Sequence, residues 1–309
     1  MTPQANTTAA ALNAEKQDLA GVHRHQVKRL AHLVKLLAPQ RPIEIVDVGA
    51  NPLNAPDYAG LVAVGAARVT GFEPQESAYE ALAPMQSDQM RFFPHAIGDG
   101  KTHELKVCNG SGFTSLLTPN AKAIDFLGRF KWKATIAEQV PVETKRLDDI
   151  DEIKQIDFLK IDIQGGELAV FENARHILAN CLAVMTEVAF IPLYEDQPLI
   201  DAQMSELRGQ GFDLHKFMFE KAVPLGSPLK AKGGLGRNQL VDGDAVFLRG
   251  LLDLSDASDE RLKHLALLAD GCFGSFDLAV RCLSYLEERG ALAGRSCDTY
   301  LKLLSKTTG

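Results

Sequence analysis

The chain has 309 residues, of which 46% are hydrophobic and 24% charged, with a formal net charge of −7. This is the composition of an ordinary soluble globular protein that is long enough to bury a sizeable core. The negative charge argues against a general nucleic-acid-binding surface, because neutralising phosphates needs clustered Lys and Arg. The five cysteines are scattered without C-x-x-C spacing. We therefore predict neither a disulfide framework nor a zinc site, and we expect a cytoplasmic location.

The N-terminal region contains one helix signal. Residues 1–18 lack the basic-then-apolar pattern of a signal peptide and are interpreted as a loose N-terminus. Within segment 19–40, apolar residues recur at three- and four-residue steps over Leu19–Leu37, which predicts a helix. Basic residues surround that stripe, so the helix either packs across the domain with a solvated basic face or binds a membrane or an acidic partner. No apolar run in the sequence approaches the length that spans a bilayer.

Strand and helix signals alternate over residues 41–250, which predicts one domain of βαβ units around a parallel sheet. Strands are expected at Ile43–Val48, Arg68–Phe72, Arg91–Ile97, Phe158–Ile163, Leu182–Val188, Phe212–Phe217 and Ala245–Arg249. Helices are expected at Tyr58–Gly65, Ser77–Met85, Glu167–Leu178 and Leu199–Gln210. The last two strands follow each other with no helix between them, so they should pair as an antiparallel hairpin. The predicted fold is α/β, a doubly wound, Rossmann-like sheet of seven mostly parallel strands.

Three segments depart from this alternation. His103–Val107 and Val140–Thr144 predict two further strands beyond the third βα unit. Lys221–Asn238 is rich in Gly, Pro and Lys and indicates a mobile loop. Residues 251–309 contain helix signals only. We expect this extension to pack on the sheet domain, to cover the substrate side, or to join copies of the chain into a homo-oligomer.

Two predicted strands end in residues suited to a nucleotide-type ligand. Asp47-Val48-Gly49 closes the first strand, and Glu73 follows the second. A glycine lets the backbone approach a ligand, and a carboxylate beyond the second strand accepts hydrogen bonds from ribose hydroxyls. Because only one close glycine is present, a ligand with ribose but no pyrophosphate fits best, and S-adenosylmethionine is the expected cofactor. The same spacing also occurs in two buried strands of any α/β protein.

Several further strings occur in a fixed order: Asp47-Val-Gly-Ala-Asn51, Gly71-Phe-Glu-Pro74, His95-Ala-Ile-Gly-Asp99, Thr114-Ser-Leu116, Arg146-Leu-Asp-Asp149 and Ile156-Asp-Phe-Leu-Lys-Ile-Asp-Ile-Gln-Gly-Gly-Glu167. The set resembles the FkbM-type methyltransferases over roughly Ile43 to Arg249. These are S-adenosylmethionine-dependent O-methyltransferases known mainly for methylating sugar hydroxyls of glycans and natural products. The resemblance implies that activity here.

The resemblance also implies cofactor-binding residues at the ends of the first three strands: Asp47, Gly49, Asn51, Glu73, Pro74, Ala96 and Ile97. Asp47 and Gly49 would lie by the methionine moiety and ribose. Asn51 would either bind the methionine carboxylate or cap the following turn. Glu73 would accept the ribose hydroxyls, and Ala96 and Ile97 would lie against the adenine.

Asp162 and Glu187 are the implied catalytic residues, because they end the fourth and fifth strands at the crevice where ligands bind. Asp162 would act as a general base or would position the acceptor hydroxyl. Two carboxylates at an unknown distance do not make a metal site, so no metal is predicted. Residues on the side of the small-molecule or glycan acceptor would be Thr114, Ser115, Gln164, Glu167 and Tyr194. Glu167 is equally suited to cap its helix.

The chain departs from the family pattern in two places, and the first of them supports an alternative function. Pro52 and Pro56 stiffen the loop after the first strand and remove N–H donors. Gln164 stands where a glutamate is common, and an amide cannot act as a base. The alternative is an inactive or weakly active relative that serves as a partner or scaffold in glycan assembly. A nicotinamide-dependent oxidoreductase would need the three-glycine fingerprint, which this chain lacks.

Trp132 lies in the basic run Arg129-Phe-Lys-Trp-Lys133. We predict that this aromatic residue packs in the core, although it could instead stack on a sugar ring.

Overall fold

The computed structural model of the protein describes residues 24–50, 55–225 and 236–305. Its ten strands are β1 Ile43–Val48, β2 Ala67–Phe72, β3 Met90–Phe93, β4 Ala96–Ile97, β5 Thr102–Cys108, β6 Ile136–Lys145, β7 Phe158–Ile161, β8 Ala183–Ala189, β9 Phe212–Val223 and β10 Gln239–Arg249. The helices are α1 over 24–37, α2 Ala59–Ala63, α3 Glu76–Leu82, α4 Ala121–Leu127, α5 Glu167–Glu172, α6 Ile200–Gly209, α7 Asp259–Gly271, α8 Phe276–Glu288 and α9 Ser296–Ser305.

Seven strands form one sheet in the order β3-β2-β1-β7-β8-β10-β9. The recorded pairs β2–β3, β1–β7 and β7–β8 are parallel, whereas β10 is antiparallel to both β8 and β9. The predicted seven-stranded, mostly parallel sheet and its terminal hairpin are therefore confirmed. The two predicted extra strands are β5 and β6, which pair antiparallel in a small separate sheet with β4.

The large sheet has its core along the central strands β1, β7 and β8. Strand β8 is buried at six of its seven residues, as expected for a parallel strand covered on both faces. One core cluster joins these strands to α5 and includes Val46, Val48, Leu159, Ile161, Val170, Phe171, Val184 and Val188.

Strand β9 runs on to Val223 and β10 begins at Gln239, so both are longer than predicted and β9 includes the start of the predicted loop Lys221–Asn238. Two further elements differ from the sequence prediction for a local reason. The third strand ends at Phe93 and resumes as β4, which belongs to the small sheet, because Pro94 between them lacks the N–H that would continue the ladder. Helix α5 ends at Glu172 rather than Leu178. The side-chain amide of Asn173 donates to the carbonyl of Ala169 at 2.8 Å, and so satisfies one of the acceptors left open at a helix end.

The described residues divide into two compact units, and the sheet with its insertions belongs to one of them, from Val69 to Leu252 together with β1 after Ile43. The other unit combines α1, α2 and the three C-terminal helices. Within it, Arg29 binds the buried Asp270 carboxylate through two nitrogens at 2.9–3.1 Å. Tyr300 donates to the same carboxylate at 2.6 Å. The N-terminal helix and the C-terminal extension thus pack on each other.

Some predictions fall on residues that the structure does not describe. These are the loose N-terminus 1–18, residues 19–23 of the predicted helix Leu19–Leu37, Asn51 and Pro52, the central part, 226–235, of the loop predicted at Lys221–Asn238, and the last residues, 306–309, of the C-terminal extension. None of the helices in the described ranges has the length and hydrophobicity that crossing a membrane requires.

Candidate active site

A cavity of about 370 Å³ opens at the carboxyl ends of β1, β2 and β7, where open α/β sheets bind their ligands. Nine residues singled out from the sequence line it: Gly49, Glu73, Pro74, Ala96, Ile97, Thr114, Ser115, Asp162 and Gln164. Asp47, Glu167, Glu187 and Tyr194 do not line it, and each has other contacts. Its volume is within the range of cavities that hold a small molecule or cofactor.

Gly49 forms the part of the cavity where only a glycine fits. Its φ is +82°, and a Cβ at this position would lie 2.1 Å from the backbone oxygen of Asp162. The N–H of Gly49 donates to the carbonyl of Phe72 at 2.9 Å, and the N–H of Asp162 donates to the carbonyl of Val48 at 3.0 Å. The ends of β1, β2 and β7 are thereby locked together, and bare backbone faces the cavity.

Glu73 places a half-buried carboxyl group beside Gly49 in the same cavity. The N–H of Gln75 donates to Oε1 of Glu73 at 2.8 Å. Burial raises the pKa of Glu73 from its ordinary 4.5 to about 7; the charge of Asp47 adds to this effect, and the Gln75 N–H opposes it. A carboxylate that is desolvated in this way is stabilised by a ligand that donates hydrogen bonds to it.

An aromatic wall of Phe72, Phe93 and His95 completes this half of the cavity. The sequence did not single out Phe72 and Phe93. Phe72 and His95 line the cavity, and both stack on Phe93, with ring centroids 5.9 and 6.0 Å apart. Ala96 and Ile97 follow directly and are buried. The signal that could have revealed the wall is the pair of aromatic residues at the ends of β2 and β3, each directly before a turn.

Gln164 organises the other half of the cavity. This residue has φ +58°, and its backbone carbonyl accepts a hydrogen bond of 2.7 Å from the Ser115 hydroxyl. Its side-chain Nε2 donates to Oδ1 of Asp162 at 2.8 Å and to Oε2 of Glu187 at 3.0 Å. The hydroxyl of Tyr194 donates to its Oε1 at 3.1 Å. Asp162 faces the cavity and is exposed, whereas Glu187 and Tyr194 lie behind Gln164.

The carboxylate of Glu167 is buried and binds backbone. It accepts the N–H of Ile163 at 2.9 Å and the N–H of Gly165 at 3.0 and 3.2 Å. Burial raises its pKa to about 7, even though these N–H groups favour the charged form. Glu167 therefore has the contacts of the helix cap that the sequence left open beside substrate binding, and it fixes the turn that carries Asp162 and Gln164.

Asp47 does not lie beside the cavity as the family resemblance implied. Its carboxylate is buried and accepts a hydrogen bond of 3.2 Å from Nζ of Lys160. The physical reason is the alternation of side chains along a strand, because Val46 and Val48 face the core cluster on one side of β1 and Asp47 faces the other side. The charge of Asp47 nevertheless acts on the site, because it raises the pKa of Glu73.

Asp162, Glu167 and Glu187 each place a carboxylate oxygen within 4.8 Å of the other two. Oxygen clusters of this kind can hold a divalent cation. Here N–H groups already bind each carboxylate. Burial, followed by the charges of Asp162 and Glu167, raises the pKa of Glu187 well above its ordinary value. The N–H donors relieve part of the repulsion among the three carboxylates, and protonation of Glu187 would relieve more of it.

The position of β10, antiparallel between β8 and β9, distinguishes this sheet from the doubly wound sheets that bind dinucleotides. Together with a floor of bare backbone and an acid at the end of β2, it fits the family whose sequence model matches this chain, which is one of methyltransferases with S-adenosylmethionine as cofactor. The FkbM methyltransferase domain matches residues 47–214, more than half of the chain. The protein belongs to this family. No curated protein sequence matches it significantly.

Solved methyltransferases resemble the chain only weakly. A putative methyltransferase from Thermoplasma acidophilum is 13% identical, with a TM-score of 0.36 over 68% of this chain and 69% of its own. A putative tRNA (m1A22) methyltransferase from Streptococcus pneumoniae in complex with S-adenosyl-L-methionine is 15% identical, with a TM-score of 0.34 over 91% and 99%. The magnesium protoporphyrin IX methyltransferase of Synechocystis with bound cofactor is 9% identical, with a TM-score of 0.33 over 76% and 83%. The match of the FkbM methyltransferase domain to residues 47–214 is therefore what identifies the family.

Proposed function

We propose that this methyltransferase acts on oxygen, and that its acceptor is a sugar hydroxyl of a glycan or a glycosylated metabolite. The observation that carries the proposal is the position of Asp162, whose exposed carboxylate lines the same cavity as Gly49 and Glu73. A hydroxyl acceptor must lose a proton as it is methylated, and a carboxylate at the cavity can take that proton. The five cysteines are all free thiols, which supports a cytoplasmic location as part of this proposal.

The residues that line the cavity fit S-adenosylmethionine, and the proposal assigns them as follows. Glu73 accepts hydrogen bonds from the ribose hydroxyls, which offset the cost of its buried charge. Ala96 and Ile97, with the stacked ring of His95, form an apolar slot for the adenine. Gly49 gives the methionine end close access to the backbone. When bound, the cofactor supplies an electrophilic methyl group on a sulfonium.

Asp162 holds the acceptor hydroxyl by accepting its hydrogen bond and receives its proton as the new C–O bond forms and the S–C bond breaks. Gln164 prepares it for this role, because its amide holds Oδ1 of Asp162 by a hydrogen bond of 2.8 Å. Burial and the charge of Asp162 raise the pKa of Glu187, and this residue does not line the cavity. Its proposed role is therefore to position the Gln164 amide.

Thr114 and Ser115 belong to the acceptor side in different ways. The Ser115 hydroxyl has no proton left to donate to an acceptor, because it donates to the carbonyl of Gln164 and accepts the N–H of Leu117 at 3.0 Å. The Thr114 hydroxyl accepts the N–H of Cys108 at 3.2 Å and keeps its own proton to donate. Thr114 is thus the better candidate for a contact with the acceptor.

The test is transfer of a labelled methyl group from S-adenosylmethionine to a panel of sugars, followed by alkaline treatment of the product. A methyl ether survives alkali, whereas a methyl ester is hydrolysed. We expect an alkali-stable product and a fall in kcat of about 10²–10⁴-fold for Asp162→Asn. Asp151→Asn removes an equally exposed carboxylate outside the cavity and should keep full activity. An alkali-labile product, or full turnover by Asp162→Asn, would contradict the proposal.

A further inference from the structure

A second concave site, the basic pocket, lies outside the cavity described above. It has a volume of about 630 Å³, and its lining includes Arg129, Phe130, Trp132, Lys133, Lys221 and Arg237. We propose that the basic pocket binds a phosphorylated sugar, with the phosphate on its cations and the sugar ring on Trp132. The inference rests on the proposed function, because it makes this sugar part of the methyl acceptor.

Unpaired positive charge sets the pocket apart in a chain whose net charge is −7. Lys221 has an acidic partner, Asp242, at 2.7 Å. Among the residues that the structure describes, Arg129, Lys133 and Arg237 have no recorded acidic partner. Lys131, also in the lining, lies 3.8 Å from Asp125. Three cations that line one concavity and form no ion pair there attract a dianion such as a phosphate ester, and guanidinium groups match its oxygens with paired hydrogen bonds.

Trp132 supplies an aromatic surface at the same place. Its side chain is 68% exposed, so the core packing predicted from the sequence is wrong. An exposed indole presents a flat apolar face and a polar N–H, which suits the stacking of a sugar ring whose substituents remain hydrogen-bonded. The indole of Trp132 and the cations that would bind the phosphate thus line the same pocket.

The turn that carries Trp132 is held firmly. Helix α4 ends at Gly128 in the left-handed conformation, and Phe130 repeats that conformation with φ +66°. A non-glycine residue with this φ is strained, and such strain persists only where packing enforces it. Phe130 packs on Phe113 with ring centroids 5.6 Å apart, and the N–H of Ala134 closes the turn on the carbonyl of Phe130 at 2.8 Å. The pocket is therefore preorganised for a ligand.

The lining of the basic pocket contacts the chain segment that leads into the lining of the active-site cavity. The N–H of Gly110 donates to the carbonyl of Lys133 at 3.0 Å, and a Cβ on Gly110 would lie 2.8 Å from Cβ of Lys133. The next residues, Ser111 and Gly112, line the cavity. The proposal places the phosphate of an extended acceptor in the basic pocket and a hydroxyl of the same molecule at Asp162.

Phe126 is also exposed, at 63%, and an aromatic and basic surface can bind anionic membranes. The concave shape of the pocket and the clustering of its unpaired cations favour a compact phosphate over a flat lipid surface. Binding to sugar-free anionic vesicles is the competing outcome that the experiment below distinguishes.

The experiment uses the full chain and follows the fluorescence of Trp132, which is the only tryptophan. The ligands are glucose phosphate, glucose, inorganic phosphate, polyprenyl-phosphate-linked glucose in neutral vesicles, and sugar-free phosphatidylglycerol vesicles. We expect a saturable change with a phosphorylated sugar, soluble or lipid-borne according to the true source, and much weaker responses to glucose or phosphate alone. Three results would overturn the proposal. These are no response to either phosphorylated sugar, an equal response to inorganic phosphate alone, and a response to anionic vesicles only.

Charge reversal links the response to the pocket. Arg129→Glu with Lys133→Glu should weaken the apparent affinity by about tenfold or more, because hydrogen bonds between charged groups are lost. The matched control, Lys154→Glu, changes an exposed cation outside the pocket and should bind as wild type does. Equal affinity in both variants would overturn the proposal. S-adenosylhomocysteine binding is measured in parallel, so loss of the cofactor site, which would contradict the proposed function, is distinguished from loss of the basic pocket.

Discussion

The hydroxyl of Tyr194 donates a hydrogen bond of 3.1 Å to Oε1 of Gln164. This bond fixes the orientation of the amide, because an oxygen must face the Tyr194 hydroxyl. The amide nitrogen Nε2 then points to Asp162 and Glu187 and donates to both. A neutral donor between two carboxylates relieves part of their repulsion without a metal ion. The amide at position 164 is thus an integral part of the acid cluster.

Gln164→Glu should make the protein depend on a divalent cation. The change replaces a donor with a fourth carboxylate among acids whose oxygens lie within 4.8 Å of one another. We expect the free energy of unfolding to fall by roughly 1–3 kcal/mol in EDTA and to recover when Mg²⁺ or Mn²⁺ binds the new oxygen cage. Thermal unfolding with and without the cation measures both effects.

The wild-type protein and the variant Gln139→Glu, on the exposed strand β6, are the controls. Neither should respond to EDTA in unfolding, and methyl transfer by the wild type should be unchanged after chelation. Loss of wild-type activity in EDTA would show that the cluster holds a catalytic cation, contrary to this account.

Gly49→Ala should destabilise the protein and abolish cofactor binding. The added Cβ would lie 2.1 Å from the Asp162 backbone oxygen, at a φ of +82° that side chains disfavour. Strain and overpacking together should cost roughly 2–5 kcal/mol, as measured by urea unfolding. Gly209→Ala, where a Cβ meets nothing within 4 Å, is the matched control and should be near neutral. Similar stabilities for the two variants would refute the proposed steric constraint.

Cofactor affinity should depend on pH through Glu73, whose pKa is about 7 in the free protein. The ionised carboxylate accepts ribose hydroxyl protons better, so affinity should rise by up to about tenfold per unit as the pH approaches 7 from below and then level off. Glu73→Gln should weaken binding and flatten the profile. Calorimetric titrations of both proteins across this range provide the measurement, and parallel profiles would count against Glu73 as the ribose acceptor.

Glu73 also affects the stability of the folded protein, and here a rise in pH is unfavourable. Because the folded pKa lies above the ordinary 4.5, the folded protein retains a proton that the unfolded chain has released. The stability of the ligand-free protein therefore falls as the pH rises between about 4.5 and about 7. Glu73→Gln should reduce this slope relative to wild type.

Glu167→Ala should lower stability rather than act on the acceptor. The change leaves the N–H groups of Ile163 and Gly165 without their acceptor, which should cost roughly 2–4 kcal/mol in urea unfolding. Glu172→Ala, on an exposed position of the same helix, serves as the control. Unchanged stability with a raised KM for the acceptor would instead make Glu167 a substrate-binding residue.

The number of strands in the large sheet, the terminal hairpin and the positions of Gly49, Glu73 and Asp162 at strand ends could be predicted, because apolar runs and strand-end polar residues are local features of the chain. The face on which Asp47 lies could not be predicted. In a strand buried on both sides, alternation in hydrophobicity disappears, and the sequence no longer shows which residues face a ligand. The exposure of Trp132 depends on the left-handed turn at Phe130, a conformation that residue type disfavours.

The most direct test of the account is calorimetric titration of S-adenosylmethionine and S-adenosylhomocysteine into the wild-type protein and Glu73→Ala, with NAD as a control ligand. We predict micromolar binding of both cofactor forms by the wild type, a marked loss of affinity in the variant, and no binding of NAD. Binding that the variant retains in full, or binding of NAD in place of S-adenosylmethionine, would contradict the assignment of this cavity.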